Sequence, residues 1–568
     1  VIGWLHGHDG HVALAQVLVG LICVGIASPA LLRAWRDLPV AHRRAIAGVG
    51  AAAAVISLVF PLGRFDALGH EADYYECFTG RQSPSNAHGY KAYVSYPILR
   101  WGYWVIGGLV GRESGPVPLM VVNAVARGLG VLAFGWFAAV VGRRGEVGVA
   151  AAVLLALHPV HAFWGAAFFH VAIPWAGMAW CLLLAVLAWR SGEVRLFVAA
   201  AAAGCLVVSV RVEWGLLAPC LAILLFGGLG AGWGRSEGVR RPLFWIAPLA
   251  LTAAWIPTLL ASGGAITEQG GYHSVSGYLA SVGRQGLWWG VLAPWHRPWM
   301  LALIALGLHR WSTEDGVGVR GPVALGAFAV LAHLALATFN DYGYRHALLP
   351  MIPLLLGAAL ATPILLEAGR LRAVAGGLAA VALLTSASGL AGAWNRYYAS
   401  DEAFVDQVPG FDGPELPATL LENGDCYLVT DNERLWELGL SGSHFNLMDP
   451  GEAVWHWREH DGCVLWLYDR SQWRWDSLGP RDRADKLRYW FEWEAQGWVT
   501  FPDRMTAVVY RMTEPPWGIG DDEPLPPSEF LLNREGGQEE RDEGPPPEES
   551  GGPPEVGGEE ERQLDSPP

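Results

Sequence analysis

The sequence predicts a polytopic α-helical membrane protein of about 12 transmembrane helices, with a small C-terminal extracytoplasmic α/β domain and a disordered acidic tail. Three observations carry this. Apolar runs near 20 residues long recur through the first two thirds of the chain, each enough for a helix to cross a bilayer. Only 16% of the 568 residues are charged, against about 25% in an ordinary soluble domain, and mean hydropathy is +0.26. The formal charge of −15 is also confined: from Glu514 onward there are 17 acidic and 3 basic residues, and the remainder holds 37 against 36. The acidity therefore belongs to a tail and implies neither a cationic substrate nor a nucleic-acid partner.

The apolar runs centre on Gly20, Ala54, Leu129, Leu154, Leu182, Ala203, Ile223, Leu251, Ile304, Ala329, Leu356 and Ala382. Most are rich in Ala, Leu, Val and Gly, the last where helices can approach closely. His11–Leu32 is long enough to span and has no basic segment before it, so it reads as a span and not as a cleaved signal. Tyr96–Val110 is shorter and aromatic, and reads as a helix lying at the interface. Arg127 is the clear mid-span charge, placed either to pair within the bundle or to meet a substrate phosphate.

Basic residues in short loops set the orientation. One set of connections holds 15 arginines, at positions 33, 36, 43, 44, 143, 144, 190, 195, 235, 240, 241, 310, 320, 370 and 372. That side is assigned to the cytoplasm. The opposite loops are longer and carry fewer. Both termini then lie outside. The domains expected are residues 1–393 in the membrane, with a first long outer loop at 64–116, an extracytoplasmic unit at 394–513 and the tail at 514–568. Only Lys91 and Lys486 are lysine while Ala and Gly abound, a composition associated with GC-rich bacterial genomes. The location expected is the bacterial cytoplasmic membrane.

This orientation gathers polar segments on the outer face. The stretch Gly69-His70-Glu71-Ala72-Asp73-Tyr74-Tyr75-Glu76 follows the apolar run Ala45–Leu62. His158, His161, His170, Arg211, Glu213, the loop Ile266–Arg297 and Asn340-Asp341-Tyr342-Gly343-Tyr344-Arg345-His346 fall on the same side. Ionisable residues gathered at span ends on one face point to a functional site. Singly, each also fits a plainer role, such as snorkelling or capping.

From about Tyr397 the composition changes. Cys426–Thr430 and Cys463–Tyr468 read as buried strands, Gly451–Glu459 and Arg481–Glu494 as helices, and Trp498–Arg511 as a closing hairpin or strand pair. The dense Trp here could stack on sugar rings or fill a core. The seven cysteines have no metal-binding spacing. Cys23, Cys181, Cys205 and Cys220 lie in apolar runs as small packing residues. Cys426 and Cys463 could pair if their domain is extracytoplasmic. After Glu514 the chain is Pro, Gly and Glu with little to bury.

From about Ala45 to Ala393 the chain resembles the GT-C superfamily of integral-membrane glycosyltransferases, nearest to bacterial protein-mannosyltransferase and arabinosyltransferase relatives. Four patterns carry the resemblance: Glu71-Ala72-Asp73-Tyr74-Tyr75 in the first loop; Tyr96-Pro97-Ile98-Leu99 opening the interfacial helix; Leu157-His158-Pro159-Val160-His161 ending a span; and Tyr344-Arg345-His346-Ala347-Leu348-Leu349-Pro350 leading into a late span. There are departures. His70 stands where the family often has the first of two acids, or else Glu71 itself replaces it with Asp73 as neighbour. The stretch Trp164–Pro174, where a second acidic site is expected, has His170 and no carboxylate.

The resemblance implies sugar transfer from a polyprenyl-phosphate-linked donor to a hydroxyl of a glycan, lipid or protein acceptor, among membrane lipids, with a divalent cation (Mg or Mn) as a candidate cofactor. Glu71 or Asp73 is the candidate base, since a carboxylate at a half-dry interface can be raised toward a useful pKa. Arg345 and Arg211 suit the leaving phosphate because guanidinium binds its oxygens bidentately, and His346, His158 and His161 could donate to phosphate or sugar. His70, Tyr75, Glu76, His170, Glu213, Asp341 and Tyr344 complete the candidate set. Arg211 could equally pair with Glu213. The competing readings are a lipid or glycan transporter, and a catalytically inactive scaffold.

Overall fold

The computed structural model describes residues 9–59, 117–158, 161–162, 169–210, 217–228, 237–261, 298–314, 317–336, 348–367, 369–398, 413–417, 426–430, 442–444, 457, 460, 462–469, 492–500 and 506–514. The first long outer loop, the interfacial stretch Tyr96–Val110 and the acidic tail beyond Glu514 lie outside these.

The apolar runs fold as helices: α1 (Asp9–Arg36), α2 (Val40–Val59), α3 (Val117–Val141), α4 (Gly145–Leu157), α5 (Phe169–Ser191), α6 (Val194–Val210), α7 (Leu217–Ala222, continued as a π-helical stretch Ile223–Gly228), α8 (Pro242–Ala261), α9 (Pro298–Ser312), α10 (Arg320–Leu336), α11 (Leu348–Ala359), α12 (Thr362–Leu366) and α13 (Arg370–Tyr398). Every apolar centre named above falls inside one of these helical stretches. By length and apolar character, four among the described residues can cross a membrane: Leu14–Arg36, Val121–Val141, Ala172–Ser191 and Leu371–Ser388. This is a multi-pass helical membrane protein.

Burial separates a centre from a periphery. In α3 and α5, 83% of the spanning window is buried, whereas α1 buries 28% and α13 17%. The α3–α5 pair is therefore the centre of the first half: α2 and α4 lean on α3, and α6 on α5, while α8 packs on α6 and α9 and α10 on α11. Phe134 and Phe137 of α3 and Trp175 and Trp189 of α5 are fully buried, Trp175 against Gly130 of α3 and Trp189 against Phe226 and Trp245. The outer helices instead turn apolar side chains outward, such as Leu18, Leu21, Ile22 and Ile26 on α1 and Leu243, Ile246 and Leu249 on α8. Facing hydrocarbon, such side chains carry no hydrophobic penalty, so packing alone decides which face turns inward.

At the crossing of α2 and α3 there is no room for a side chain. A Cβ on Gly128 would stand 2.8 Å from the Gly50 carbonyl oxygen and 2.9 Å from Ala54 Cβ, and one on Gly50 would stand 2.8 Å from the Gly128 oxygen. Gly135 and Gly148 make a similar approach between α3 and α4. Small residues let backbones meet closely, and dispersion between them replaces the hydrophobic drive that lipid cannot supply.

The turns that sequence assigns to the cytoplasmic side are tied together by ion pairs. Arg33 at the end of α1 donates to Glu193 at 2.7 Å, and Arg195 donates to the same carboxylate. Arg310 at the end of α9 reaches Glu314 and, beyond α12, Glu367, each at 2.8 Å. Arg144, between α3 and α4, lies 3.4 Å from Glu367 and 3.6 Å from Glu314.

The hydrogen bond from Arg195, then that from Arg33, holds the Glu193 carboxyl below its ordinary value of 4.5. A lowered carboxyl pKa adds stability above the unfolded value and loses it as pH falls through the folded one. Glu193→Gln should therefore lower the melting temperature at pH 7 by about 1–2 °C, and the difference should close as pH falls through the lowered carboxyl pKa. Melting curves from pH 7 into the acid range check it.

The C-terminal strands are β1 (Glu415–Leu416), β2 (Tyr427–Thr430), β3 (Gly442–His444), β4 (Val464–Asp469), β5 (Glu492–Thr500) and β6 (Thr506–Glu514). They form a mixed sheet in the order β1-β5-β6-β4-β2-β3. β2 lies parallel to β4 with Leu428 opposite Leu465, while β5 and β6 form the expected antiparallel pair. Central β4 is buried at every position from Val464 to Leu467, as a strand covered on both faces must be. The Cys426–Cys463 disulfide joins the starts of β2 and β4, with Cα atoms 4.7 Å apart.

One sequence expectation is corrected. The helix predicted over Arg481–Glu494 does not reach its end, because β5 already begins at Glu492. Pairing with β6, Trp493 opposite Met512 and Trp498 opposite Val508, overrides the local pattern there. Of the helix predicted over Gly451–Glu459, only Trp457 is among the described residues.

Candidate functional site

The end of the bundle opposite the ion-paired turns holds a buried polar cluster. It starts from the sequence Leu157-His158-Pro159. The residue before a proline is pushed out of the helical region, and His158 is extended at φ −67°, ψ 122°, so α4 stops there. A helix that ends inside a protein leaves its last carbonyls without partners. Here two of them are taken up. His158 N–H donates to Leu155 O at 3.2 Å. His161 Nδ1–H donates to the same oxygen at 3.1 Å. Arg127 Nη2 donates to Ala156 O at 2.8 Å.

Arg127 lies a little under halfway along α3, just before Gly128, and is 2% exposed. Its Nη1 donates to Ser57 Oγ at 2.5 Å and to Ala53 O at 3.2 Å, both on α2. Ser57 Oγ in turn donates to Ala53 O at 2.7 Å. One guanidinium thus bonds to the last turns of two helices from a third. Among the described residues it has no carboxylate within ion-pair distance. Its charge is met by backbone carbonyls near the C-terminal ends of α2 and α4, the negative ends of their dipoles. Hydrogen bonds to a charged group are worth about 1.5–3 kcal/mol each, which offsets its desolvation.

Around this core sit more buried polar groups. His158 is 1% exposed, His161 0% and Asn123, one turn before Arg127, 1%. The His161 ring stands 5.3 Å from that of Trp175 on α5. Among the described residues, Arg127 Nε, Asn123 Oδ1, His161 Nε2 and Trp175 Nε1 find no hydrogen-bond partner. The cluster is cationic and polar, built from four helices.

Of the predicted site residues, His158 and His161 are brought together here. His170 lies in the first turn of α5. Glu71, Asp73, His70, Tyr75, Glu76, Arg211, Glu213, Asp341, Tyr344, Arg345 and His346 lie outside the described residues. Arg127 settles into the first of its two predicted roles, with partners inside the bundle. Ser57, Asn123 and Trp175 were not anticipated, because a serine, an asparagine or a tryptophan in an apolar run reads as packing; the four-residue spacing of Asn123 and Arg127 was the available signal. Among the described residues no three His, Cys, Asp or Glu side chains converge as a metal site would require.

No protein-family model matches the chain, and no curated protein does. Among solved structures the chain is similar to arabinofuranosyltransferase AftD from mycobacteria, with 16% identity and a TM-score of 0.45 over 83% of this chain and 40% of that one. It is similar to the archaeal oligosaccharyltransferase AglB from Archaeoglobus fulgidus, in complex with an inhibitory peptide and a dolichol-phosphate, with 13% identity and a TM-score of 0.44 over 84% of this chain and 74% of that one. It is also similar to ArnT from Cupriavidus metallidurans bound to undecaprenyl phosphate, with 15% identity and a TM-score of 0.40 over 82% of this chain and 97% of that one. The chain spans about 40% of the length of the mycobacterial arabinofuranosyltransferase to which it is similar.

Proposed function

We propose that the chain is a glycosyltransferase of the GT-C type, with about 12 spans, moving a sugar from a polyprenyl-phosphate donor to an acceptor hydroxyl at the outer face of a bacterial cytoplasmic membrane. The observation that carries this reading is the polarity of the bundle. Ion pairs join the arginine-rich turns at one end, and α2 and α4 run from that end to the buried Arg127, His158 and His161 cluster at the other. The charge pattern of the sequence assigns Glu71, Asp73, Arg211, Arg345 and His346 to that same side. The Cys426–Cys463 disulfide supports an extracytoplasmic C-terminal domain, since such bonds persist in oxidising compartments.

In this reading Glu71 or Asp73 takes the proton of the acceptor hydroxyl as it attacks the anomeric carbon with inversion. Arg345 and Arg211, with His346, stabilise the departing phosphate. A divalent cation, if one is used, would screen charge at the phosphate. The transporter reading expects a mid-span charge open to a water path. Arg127 is instead enclosed and bonded to backbone, which weighs against it.

Purified full-length chain in lipid nanodiscs, offered polyprenyl-phosphate sugars and a mixed acceptor pool, tests this. Glu71→Gln or Asp73→Asn should lower kcat by about 10²–10⁴-fold. Full activity in both variants overturns the base assignment.

A further inference from the structure

We propose that Arg127 is a positioning residue: it pins the last turns of α2 and α4 to α3, and so sets the spacing of those two helix ends. In sequence the first end leads toward Glu71 and Asp73, and the second into His158 and His161. The kinetic part of this inference rests on the transferase reading above; the pin itself does not.

Three observations carry it. The guanidinium uses both terminal nitrogens and divides them between helices, Nη1 to Ala53 O and Ser57 Oγ on α2, Nη2 to Ala156 O on α4. The carbonyl of Ala156 belongs to the final turn of α4, which has no intrahelical donors of its own. The pin also sits at the Gly50–Gly128 approach, where two backbones already touch, so the side chain reaches across with no slack. A planar fork suits this task and an ammonium does not. Lysine can place its single nitrogen at one helix end, but cannot bond both at fixed separation.

His161 extends the same device. Its Nδ1–H holds Leu155 O, the carbonyl adjacent to the one Arg127 holds, and its ring lies against Trp175 of α5. The end of α4 is thus gripped from α3 by Arg127 and from beyond its own terminus by His161. Misplacing a reacting group by about 1 Å can cost on the order of a hundredfold in rate, so a loosened pin should appear in kcat before it appears in donor binding.

The test uses the full chain in nanodiscs with two readouts. In hydrogen exchange, Arg127→Lys should speed amide exchange in the last turns of α2 (Ile56–Val59) and α4 (Leu154–Leu157) by at least about tenfold. Exchange in the Arg33–Glu193 turns at the far end should be unchanged. In kinetics, Arg127→Lys should lower kcat about tenfold, and Arg127→Gln about a hundredfold, with donor KM within about twofold. Ser57→Ala removes one acceptor without changing charge and covers the case in which Arg127→Gln does not fold; about threefold is expected in kcat. Unchanged exchange at both helix ends overturns the pin. A rise in donor KM with kcat preserved overturns the positioning role and makes Arg127 a binding group. Faster exchange in the variants, with no transfer by the unaltered chain from any donor, leaves the pin standing and sinks the transferase reading.

Discussion

Gly128→Leu is expected to break the bundle. The site for its Cβ is bounded by the Gly50 carbonyl oxygen and Ala54 Cβ at 2.8 and 2.9 Å, and neither is the movable tip of a side chain. The helices α2 and α3 must separate, and Arg127, one residue away, then loses its bonds to Ala53 O and Ser57 Oγ. Overpacking and the loss of charged hydrogen bonds together amount to on the order of 3–5 kcal/mol. Detergent-solubilised protein should lose its monodisperse peak or melt about 6–20 °C lower, taking about 2–4 °C per kcal/mol. Gly25→Ala is the control, because no atom lies within 4 Å of its Cβ position; it should be neutral or slightly stabilising. Equal melting of the two variants would show that the close approach contributes nothing.

Removing the Cys426–Cys463 disulfide, by Cys426→Ser with Cys463→Ser, should be the second large effect. The bond closes a segment with a sequence separation of 37. Closing a loop of that size in the unfolded chain is worth about 3–4 kcal/mol. The bond also joins strands that pair parallel, β2 and β4, which no short hairpin can hold together. Limited proteolysis of the full chain should then cut within residues 413–514 about a hundredfold faster, while fragments from the helical part appear at an unchanged rate. If both regions are cut at the original rates, the bond is not what stabilises the sheet.

Much of the helical part was legible in sequence because lipid imposes a simple rule: about 20 apolar residues per crossing. The arginines of the short loops were equally legible, and the pairs Arg33–Glu193 and Arg310–Glu367 join turns that charge counting had put on one side. The strands Tyr427–Thr430 and Val464–Asp469 showed as apolar runs, and the disulfide as two cysteines outside the spans. What sequence could not show was contact. Arg127 was visible as a charge, but which carbonyls it meets depends on the distance between α2 and α3, which Gly50 and Gly128 set from different parts of the chain. The stretch Glu492–Thr500 was misread in part because long-range pairing with β6 decided its conformation. The candidate base and the phosphate-binding arginines came from charge placement and motif resemblance, and lie outside the described residues.

The distribution of charge pairs along the bundle has a mechanical consequence. Among the described residues, carboxylate–guanidinium pairs join helices at one end only. Arg144 and Arg310 share Glu314 and Glu367, and ion pairs between long side chains constrain distance more tightly than angle. We expect that end to act as a fulcrum. A helix of 20 residues is a lever of about 30 Å, so a tilt of about 5° there displaces the opposite end by roughly 2.6 Å. Leverage is therefore longest at the end where Arg127 holds α2 and α4 to α3, which is where a pin has the most to restrain.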